Sequence, residues 1–527
     1  MRLVIALLLA PALLAPWAAR GEVQLPALPR AFVDTTYAPP SGKAIAVRAG
    51  DNLQRAIDKA VPGDTLLLQA GATFVGPFTL PNKTSGAGWI YITSSAYASL
   101  PPPGKRVSVI DAANMPTIIV GAGRGAAVQT QAKAHHYRFV GIEFRPAPNQ
   151  FVYNLIQIGN DETSLADLPH HITFDRCYIQ GDPEVGGRRG VAMNGASVAV
   201  IDSHVSDFKE DGADTQALWA HNTPGPLKVV NNYLEAAGEN LLTGGADPTI
   251  ANLVPSDIEI KRNHFFKPLA WIGQPWTVKN LLQFKNGQRI LVEGNVFENS
   301  WLHAQDGEGI AITPRNQNGR APWSVTQDIT IRLNRIVNVG KGISLGGRDG
   351  DYPSQVTQRV SIEDNVIHVT ARRGATGRIL QVTSGPVDLT VRHNTAFTVR
   401  TGTAGFSENR PAATRFDFRD NIVSRGANGF AGTGTGEGAR TLGAYYVGYT
   451  FLGNAIIGGD TANYPALNFF PPHIDAVGFV DFAGGNYRLA PSSPLRKAAS
   501  DGKDVGADIE AVEAAINASG AVRRIAR

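Results

Sequence analysis

Apolar and polar residues alternate in short segments that recur through most of the chain. Each segment reads apolar, any residue, apolar, two further residues, Asn, any residue, apolar, as in ILVEGNVF (Ile290–Phe297) and VSIEDNVI (Val360–Ile367). Alternation with a period of two residues is typical of a β-strand that buries one face. The pattern therefore predicts a chain of short strands, each ending in a turn at the Asn.

The sixth position of these segments is predicted to form a ladder. An Asn fits a tight turn because it tolerates the left-handed backbone region and its side chain can bond nearby backbone. Cys177 and Ser203 are small enough to occupy the same position, so we expect Cys177 to be a ladder residue and not a nucleophile. The predicted ladder consists of Cys177, Ser203, Asn232, Asn263, Asn295, Asn334, Asn365, Asn394, Asn421 and Asn454.

A second short apolar strand precedes each of these segments. Examples are VAMNG, QALWA, NLLTG, NLLQF, GIAIT, GISLG and ILQVT. Ladder positions lie 26 residues (Cys177 to Ser203) to 39 residues (Asn295 to Asn334) apart, which is a solenoid period. Three short strands per repeat predict an all-β fold, a single-stranded right-handed parallel β-helix of about 11–12 coils.

The ends of a solenoid must be covered, because a terminal coil exposes its core. The segment DNLQRAIDKA (Asp51–Ala60) predicts an amphipathic helix that closes the N-terminal opening, with Asp51 as N-cap and Leu53 and Ile57 facing inward. We expect one long domain. Its predicted parts are a signal peptide (1–21), an N-terminal linker (22–45), the β-helix (46–490) and a C-terminal tail or cap (491–527).

The N-terminus and the composition restrict the class of protein. Arg2 is followed by LVIALLLAPALLAPWAA, an apolar run too short and too proline-broken to span a bilayer. It is typical of a signal peptide and predicts a secreted or periplasmic protein with no membrane span. A net charge of +4 over 527 residues, without a run of Lys and Arg, argues against a nucleic-acid partner. A single Cys excludes an intramolecular disulfide.

Polar residues of the second strands are the candidates for chemistry. If Leu282 and Phe284 face the core, strand alternation turns Gln283 and Lys285 outward, and the same parity applies to neighbouring coils. About 4.8 Å would separate successive rungs. The predicted outward row consists of Trp219, His221, Gln283, Lys285, Arg315 and Arg348.

A cationic row with an aromatic residue suits an acidic polysaccharide, because uronate carboxylates bind Arg or Lys and sugar faces stack on Trp. β-Elimination at a uronate needs a base for the C5 proton, a positive partner for the carboxylate and a proton for the leaving O4. Lys285 can be that base if neighbouring cations and partial burial depress its pKa. The other cations of the row are candidates for the carboxylate partner, and Trp219 and the rest of the row would bind substrate. The alternative is that Lys285 only keeps a sheet face soluble.

Carboxylates in the same region make calcium a candidate cofactor, since calcium prefers oxygen ligands. Asp306 and Glu308 lie two residues apart in the loop HAQDGEG, just before the strand that leads to Arg315. The competing interpretation is a solvated acidic loop. Glu239 is a third candidate ligand, although aligning GENLLT with VKNLLQ places it over Lys279 as an ordinary ion pair between coils.

Other candidate metal groups are interpreted as structural. His135 and His136, and likewise His170 and His171, are adjacent pairs without a spaced carboxylate partner, so we do not expect a zinc site. The acidic loop GGRDGDYPS (Gly346–Ser354) lacks the downstream acid of a full calcium-binding loop and is expected to be an ordinary turn.

Both ends of the predicted β-helix resemble a known superfamily. DNLQRAIDKAVPGDTLLLQAGATFVGPFTL is similar to the opening of many secreted proteins of the pectate-lyase-like β-helix superfamily, and YRLAPSSPLRKAASDGKDVGAD (Tyr487–Asp508) resembles their ending. The resemblance implies a right-handed parallel β-helix over nearly the whole mature chain. It implies no single chemistry, because the superfamily contains lyases, hydrolases, epimerases and binding proteins.

A second resemblance concerns the candidate site. NLLQFKNGQRILVEGNVFENS, followed by GIAITPRN, resembles the centre of the alginate lyase and chondroitinase B family. It implies Lys285 as the base and Arg315 as the arginine that faces the carboxylate or the leaving group. That family has calcium-binding acids a few residues before the Lys, where this chain has Val278 and Asn280.

The sequence thus predicts a secreted polysaccharide lyase that cleaves a uronate-containing polysaccharide by β-elimination. One alternative is an extracellular β-helix protein that binds glycans without cleaving them. A second is a glycoside hydrolase, which needs two carboxylates on one face, and the sequence offers no obvious pair. The oligomeric state is not indicated.

Overall fold

The computed structural model describes residues 22–121, 123, 125–403 and 412–517. Across these residues the chain winds into a right-handed parallel β-helix with three long parallel sheets, which confirms the predicted fold. The predicted signal peptide lies outside the described residues. Among the helices of the described part, none has the length and apolar character needed to cross a membrane.

The three sheets contain 14, 10 and 13 strands, which bracket the predicted number of coils. Sheet 1 contains Ala44–Val47, Thr65–Leu68, Ile90–Ser94, His135–Val140, His170–Asp175, Ala196–Ile201, Leu227–Val230, Ser256–Lys261, Gly287–Glu293, Thr326–Arg332, Gln358–Glu363, Val387–Arg392, Ala413–Arg419 and Tyr446–Leu452. Sheet 2 contains Phe78–Leu80, Val128–Thr130, Asn154–Ile158, Arg189–Met193, Gln216–Ala220, Glu239–Thr243, Leu282–Phe284, Glu308–Ile312, Lys341–Gly346 and Leu380–Thr383. Sheet 3 contains Thr73–Val75, Thr117–Val120, Glu143–Pro146, Tyr178–Gln180, His204–Phe208, Tyr233–Ala236, His264–Phe266, Val296–Glu298, Arg335–Val339, Val366–Val369, Thr395–Thr398, Ile422–Ser424 and Ala455–Ile457.

The remaining elements are short. Phe479–Asp481 and Asn486–Leu489 form an antiparallel pair near the C-terminal end. The α-helices are Leu53–Lys59, Ala439–Tyr445 and Ile509–Asn517. The 3₁₀ helices are Tyr97–Ser99, Val109–Asn114, Leu165–Asp167, Leu269–Trp271, Arg372–Gly374, Thr461–Asn463 and Ile474–Val477.

The predicted ladder is confirmed: its side chains are hydrogen-bonded from coil to coil along one edge of the core. The side chain of Asn295, for example, accepts from the backbone N–H of Asn263 at 2.9 Å and donates to Asn334 Oδ1 at 3.0 Å. Ser203 Oγ accepts from the N–H of Cys177 at 3.0 Å, so the buried Cys177 occupies a ladder position. Burial raises the pKa of the Cys177 thiol to about 12, which removes its thiolate at neutral pH.

The role expected of Asn in the turn needs a correction. The left-handed residue is the one before the ladder position, for example Asn231 (φ 60°), Asp364 (φ 51°) and Asp420 (φ 58°). This residue makes the turn, which leaves the following Asn free to point inward. The ladder Asn is therefore selected for reaching the backbone of adjacent coils and not for its own backbone conformation.

The helix Leu53–Lys59 lies at the N-terminal end and buries Leu53 and Ile57, as predicted. Its N-cap is Asn52, whose side chain accepts from the N–H of Arg55, so the prediction of Asp51 as N-cap is wrong. Asp51 instead accepts from the N–H of Arg48 at 2.7 Å, which stabilises the turn before the helix.

Both segments outside the predicted β-helix lie against the coils. In the 22–45 segment, the N–H groups of Gln24, Ala27 and Arg30 donate to the carboxylates of Asp388, Asp328 and Asp257, respectively. The helix Ile509–Asn517 packs with Val296 and Val366 of sheet 3, far from the last coil. Each terminal segment thus runs back along the solenoid.

Candidate functional site

The outer face of sheet 2 carries Trp219, His221, Gln283 and Lys285 of the predicted row, whereas Arg315 and Arg348 lie beyond the ends of their strands. The register places these residues side by side on successive rungs: Trp219, Leu242, Gln283, Ala311 and Ser344. Two residues further along each coil lie His221, Gly244, Lys285, Thr313 and Gly346. The sequence predicted that His221 and Lys285 lie on neighbouring coils. This prediction is wrong, because the strand Glu239–Thr243 lies between their two coils.

Lys285 is held through its backbone. Its N–H donates to Thr243 O at 2.8 Å, and its carbonyl accepts from the N–H of Arg315 at 2.8 Å. Gly244 lies beside it in the preceding coil with φ 84°, and a Cβ there would come within 2.9 Å of Lys285 Cβ. A larger residue at position 244 would clash with Lys285, so the glycine leaves room for the lysine side chain.

The ammonium group of Lys285 differs from those of two other lysines of this region. Lys279 pairs with Asp214 at 2.6 Å, and Lys341 pairs with Asp306 at 3.0 Å and with Glu308. Lys285 is half-buried, and in the described part of the chain its Nζ has neither a hydrogen bond nor an ion pair. Its charge is available to a ligand.

Arg315 lies one coil beyond Lys285 and is fixed by carboxylates. Its Nη1 contacts Asp349 at 2.5 Å and Asp351 at 2.9 Å. Burial by itself would raise the pKa of Asp349, but the N–H groups of Asp351 and Asn316 and the Arg315 guanidinium outweigh it and hold that pKa below its usual value. The loop predicted to be an ordinary turn is thus the support of Arg315.

Arg348 lies in the same loop and is exposed, without a hydrogen bond or ion pair among the described residues. It is a free cation next to the Arg315–Asp349 pair.

Trp219 and His221 face outward but are covered. Only 8% of Trp219 and 7% of His221 is exposed, and the two rings stack at 4.3 Å. The Arg189 guanidinium lies 4.0 Å from the Trp219 ring. Burial, with Arg189 adding to it, lowers the pKa of His221 to about 4, so this imidazole is neutral at neutral pH. The open aromatic face expected at Trp219 is therefore absent from this arrangement.

Gln283 is also covered, with 6% of its surface exposed. Its Oε1 accepts from Asn280 Nδ2 at 3.2 Å. Asn280, Gln283 and Lys285 thus follow one another along one coil.

Three buried oxygen atoms without hydrogen-bond partners lie on consecutive rungs. Leu241, Leu282 and Ile310 are in register, so Glu239, Asn280 and Glu308, each two residues earlier, are level with one another. Their Oε1, Oδ1 and Oε2 atoms, respectively, are buried and have no hydrogen-bond partner within the described part of the chain. We call these atoms the oxygen triad. Unpartnered buried oxygens are uncommon and suit a hard cation such as calcium.

The predicted pairing of Glu239 with Lys279 is wrong. Glu239 is level with Asn280, and its Oε2 accepts from Gln216 Nε2 at 2.8 Å. The strands pair Leu241 with Leu282, whereas the alignment of GENLLT with VKNLLQ pairs Leu241 with Leu281. The observed register therefore differs from the aligned one by one residue.

Asp306 does not join the oxygen triad. It contacts Lys341 at 3.0 Å and accepts from the N–H of Thr376 at 3.0 Å. Lys341 also contacts Glu308 Oε1 at 3.1 Å, so its ammonium neutralises the acidic pair that the sequence offered as calcium ligands. Glu308 keeps only its second oxygen for a metal.

Sequence reasoning missed Asn280 as a ligand candidate, Lys341 as the cation of the acidic loop, and Arg189 as the cover of Trp219. In the sequence Asn280 stands out only as a departure from the acids of the alginate lyase family. The signal that would have found its role is the register, which makes Glu239 and Glu308 its neighbours.

Comparisons with known proteins support the fold. No protein-family model and no curated protein matches the chain. Among solved structures, the PL6 family alginate lyase AlyGC matches with a TM-score of 0.56 and 13% identity, over 88% of this chain and 58% of that one. The catalytic unit of a GH87 alpha-1,3-glucanase from Streptomyces thermodiastaticus has a TM-score of 0.47 and 15% identity, over 83% of this chain and 69% of that one. Pectate lyase Pel9A has a TM-score of 0.33 and 11% identity, over 88% of this chain and 96% of that one.

At these identities the similarity concerns the fold. The protein has a right-handed parallel β-helix, the fold that the resemblance in the sequence implied. The chain spans 58% of the length of AlyGC. The comparison therefore does not assign the activity of AlyGC to this chain.

Proposed function

We propose that the protein is a polysaccharide lyase that cleaves a uronate-containing polysaccharide by β-elimination at the outer face of sheet 2. The observation that carries the proposal is the unpaired, half-buried ammonium of Lys285 beside a fixed arginine. AlyGC, which shares the fold, is an alginate lyase, and its activity agrees with this class of substrate.

Lys285 is the proposed base. Its backbone is bonded to the coils on both sides, so the side chain starts from a fixed point. Unlike Lys279, which pairs with Asp214, Lys285 has no carboxylate partner among the described residues, so its Nζ is available to the substrate. In the deprotonated form, Nζ takes the C5 proton of the uronate, the C4–C5 double bond forms as the C4–O4 bond breaks, and the Lys285 ammonium or a water donates a proton to the leaving O4.

Arg315 is the proposed partner. Asp349 and Asp351 occupy Nη1 and leave the Nε and Nη2 groups to donate to the substrate. Because the guanidinium cannot readily lose its proton, it donates hydrogen bonds to the uronate carboxylate or to O4 as charge develops. Arg348 and Gln283 would contact neighbouring sugars, whereas Trp219 and His221 would position Arg189.

Calcium is the proposed cofactor, held by the oxygen triad. Glu239 and Glu308 supply one carboxylate oxygen each, and Asn280 supplies an amide oxygen between them. When bound, the ion would neutralise the uronate carboxylate and make the C5 proton more acidic. This ligand set differs from the one that the sequence predicts, since Asp306 faces Lys341 instead.

The experiment mixes the purified protein with alginate, polygalacturonate or chondroitin sulfate and follows ultraviolet absorbance of the unsaturated product. We expect product from at least one substrate, and about a 100-fold or greater loss in Lys285→Ala. Lys59→Ala, at an exposed lysine of the capping helix, is the matched control and should keep full activity. Unchanged activity in Lys285→Ala, or no product from any uronate polymer, would refute the proposal.

The cofactor is tested separately. After treatment with EDTA, adding CaCl₂ should raise the melting temperature, and the double variant Glu239→Gln/Glu308→Gln should lose that response. Asp351→Asn, whose carboxylate is exposed, is the control for charge removal. An equal calcium response in the double variant would contradict the assignment of the oxygen triad.

One observation favours the binding-only alternative. The charge of Arg315 is already matched by two aspartates, which lowers its attraction for a uronate. In that case the protein would retain a uronate oligomer in a binding assay and form no unsaturated product. The Lys285→Ala variant would bind the oligomer as tightly as the parent protein. The proposed location outside the cytoplasm rests on residues 1–21, which lie outside the described residues.

A further inference from the structure

Four histidines form a compact group on sheet 1, away from the outer face of sheet 2. His135 and His136 begin one strand, and His170 and His171 begin the strand of the next coil. The register pairs His135 with His170, so each histidine has a histidine neighbour on the adjacent rung. We call this group the histidine tetrad.

The rings of the histidine tetrad are arranged in two stacks. His135 and His170 stack at 5.0 Å with an angle of 6°, and His136 and His171 stack at 4.6 Å with an angle of 3°. His136 and His171 have φ values of 58° and 55°. This left-handed backbone turns the second ring of each pair toward the first.

Hydrogen bonds determine which nitrogens can act as ligands. His135 Nε2 lies 2.9 Å from the carbonyl of Lys83, which can only accept, so His135 carries its proton on Nε2. Its Nδ1 must then accept the 2.8 Å bond from His136 Nδ1–H. His136 Nε2 is left with a lone pair and no proton. His135 Nδ1 therefore orients His136, as hydrogen-bond acceptors do around metal-bound histidines.

The second pair repeats this contact. The Nδ1 atoms of His170 and His171 are 2.7 Å apart and share one proton. Ligand nitrogens of His136, His170 and His171 all lie within 4.8 Å of one another. An imidazole binds a metal through an unprotonated nitrogen, and the hydrogen bonds above leave one on His136 Nε2.

From this geometry we propose that the histidine tetrad binds one late first-row divalent transition-metal ion, such as Zn²⁺, Cu²⁺ or Ni²⁺. Imidazole nitrogens suit these ions and not calcium. To share a tetrahedral ion, the Nδ1 atoms of His170 and His171 would open from their hydrogen-bonded distance to roughly 3.3 Å, with the shared proton moving to Nε2. The ion would tie two coils together near the N-terminal end.

This proposal replaces the structural role that the sequence suggested for the two pairs. The sequence shows adjacent histidines without a carboxylate, but it does not show that the pairs stack. Trp89 closes one side of the group, with its ring 5.3 Å from His136. On the other side the next coil has small residues, with Ala196 in register with His170 and Ser197 following it.

The test uses tag-free protein and titrates it with ZnCl₂ in a calorimeter and with CuCl₂ followed by electron paramagnetic resonance. We expect one ion per chain and splitting of the copper signal by several nitrogens. The double variant His136→Gln/His171→Gln should weaken zinc affinity by roughly tenfold or more. His473→Gln, at an exposed histidine outside the tetrad, is the matched control and should leave affinity unchanged.

A metal-free circular dichroism spectrum checks that the double variant folds. If it does not fold, the single variant His170→Gln takes its place, since it removes one ligand and keeps the first pair. Stoichiometry and affinity that do not depend on these histidines, or a copper signal without nitrogen splitting, would overturn the proposal.

Discussion

Truncation of a ladder residue tests whether the amides stabilise the solenoid. In Asn295→Ala the backbone N–H of Asn263 loses its acceptor, and it is buried with no other partner among the described residues. Ile260 O also loses the 2.9 Å bond from Asn295 Nδ2. By contrast, Asn334 Oδ1 keeps the Asn295 N–H, and Asn263 Nδ2 keeps Val229 O.

The magnitude follows from that inventory. One orphaned buried N–H costs about 1–3 kcal/mol and one lost hydrogen bond about 1 kcal/mol. We therefore expect Asn295→Ala to lower the free energy of unfolding by about 2–4 kcal/mol. Asn295→Asp should lower the free energy of unfolding further, because it buries a carboxylate between two backbone-bonded amides.

The assay is urea unfolding followed by far-ultraviolet circular dichroism. Cys177→Ala is the matched control, because Cys177 is a ladder residue whose Sγ makes only long contacts, at 3.5 and 3.7 Å. Cys177→Ala should lower the free energy of unfolding by about 1 kcal/mol, because it removes a small apolar group. The reasoning is refuted if Asn295→Ala is no more destabilising than Cys177→Ala.

Three further predictions concern the site, the N-terminal segment and a buried acid. Asp349→Asn should release Arg315 and, for a lyase, lower kcat/KM in the product assay; unchanged kcat/KM would show that Arg315 needs no support. Asp328→Ala removes the acceptor of the Ala27 N–H, so limited proteolysis should cut the 22–45 segment faster than in the parent protein, and equal rates would contradict this. Burial raises the pKa of Glu235 to about 7 from 4.5. The folded state then holds its proton more tightly than the unfolded state, and stability falls as pH rises between these values. Glu235→Gln should therefore melt higher than the parent near pH 8 and equally near pH 4.5; a pH-independent difference would exclude this account.

The repeating part of the protein could be predicted from its sequence. The alternating segments identified the strands, and the recurring sixth position identified the ladder from Cys177 to Asn454. Strand alternation and turn preferences act over a few residues, so they are visible in the chain itself. The structure adds one more ladder member, Asn468, which accepts from Asn454 Nδ2 at 3.0 Å in a coil that departs from the pattern.

The chemistry of the outer face depended on contacts between coils. The sequence by itself determined that Lys285 follows a strand and that the fold does not require it. Only the tertiary structure decided that Lys285 stays unpaired while Lys279 and Lys341 are neutralised, and that Arg315 is held by Asp349, 34 residues away. The physical reason is register. Pairing Leu241 with Leu282 instead of Leu281 changes the neighbours across these rungs, and no local preference in the chain reports which pairing is made.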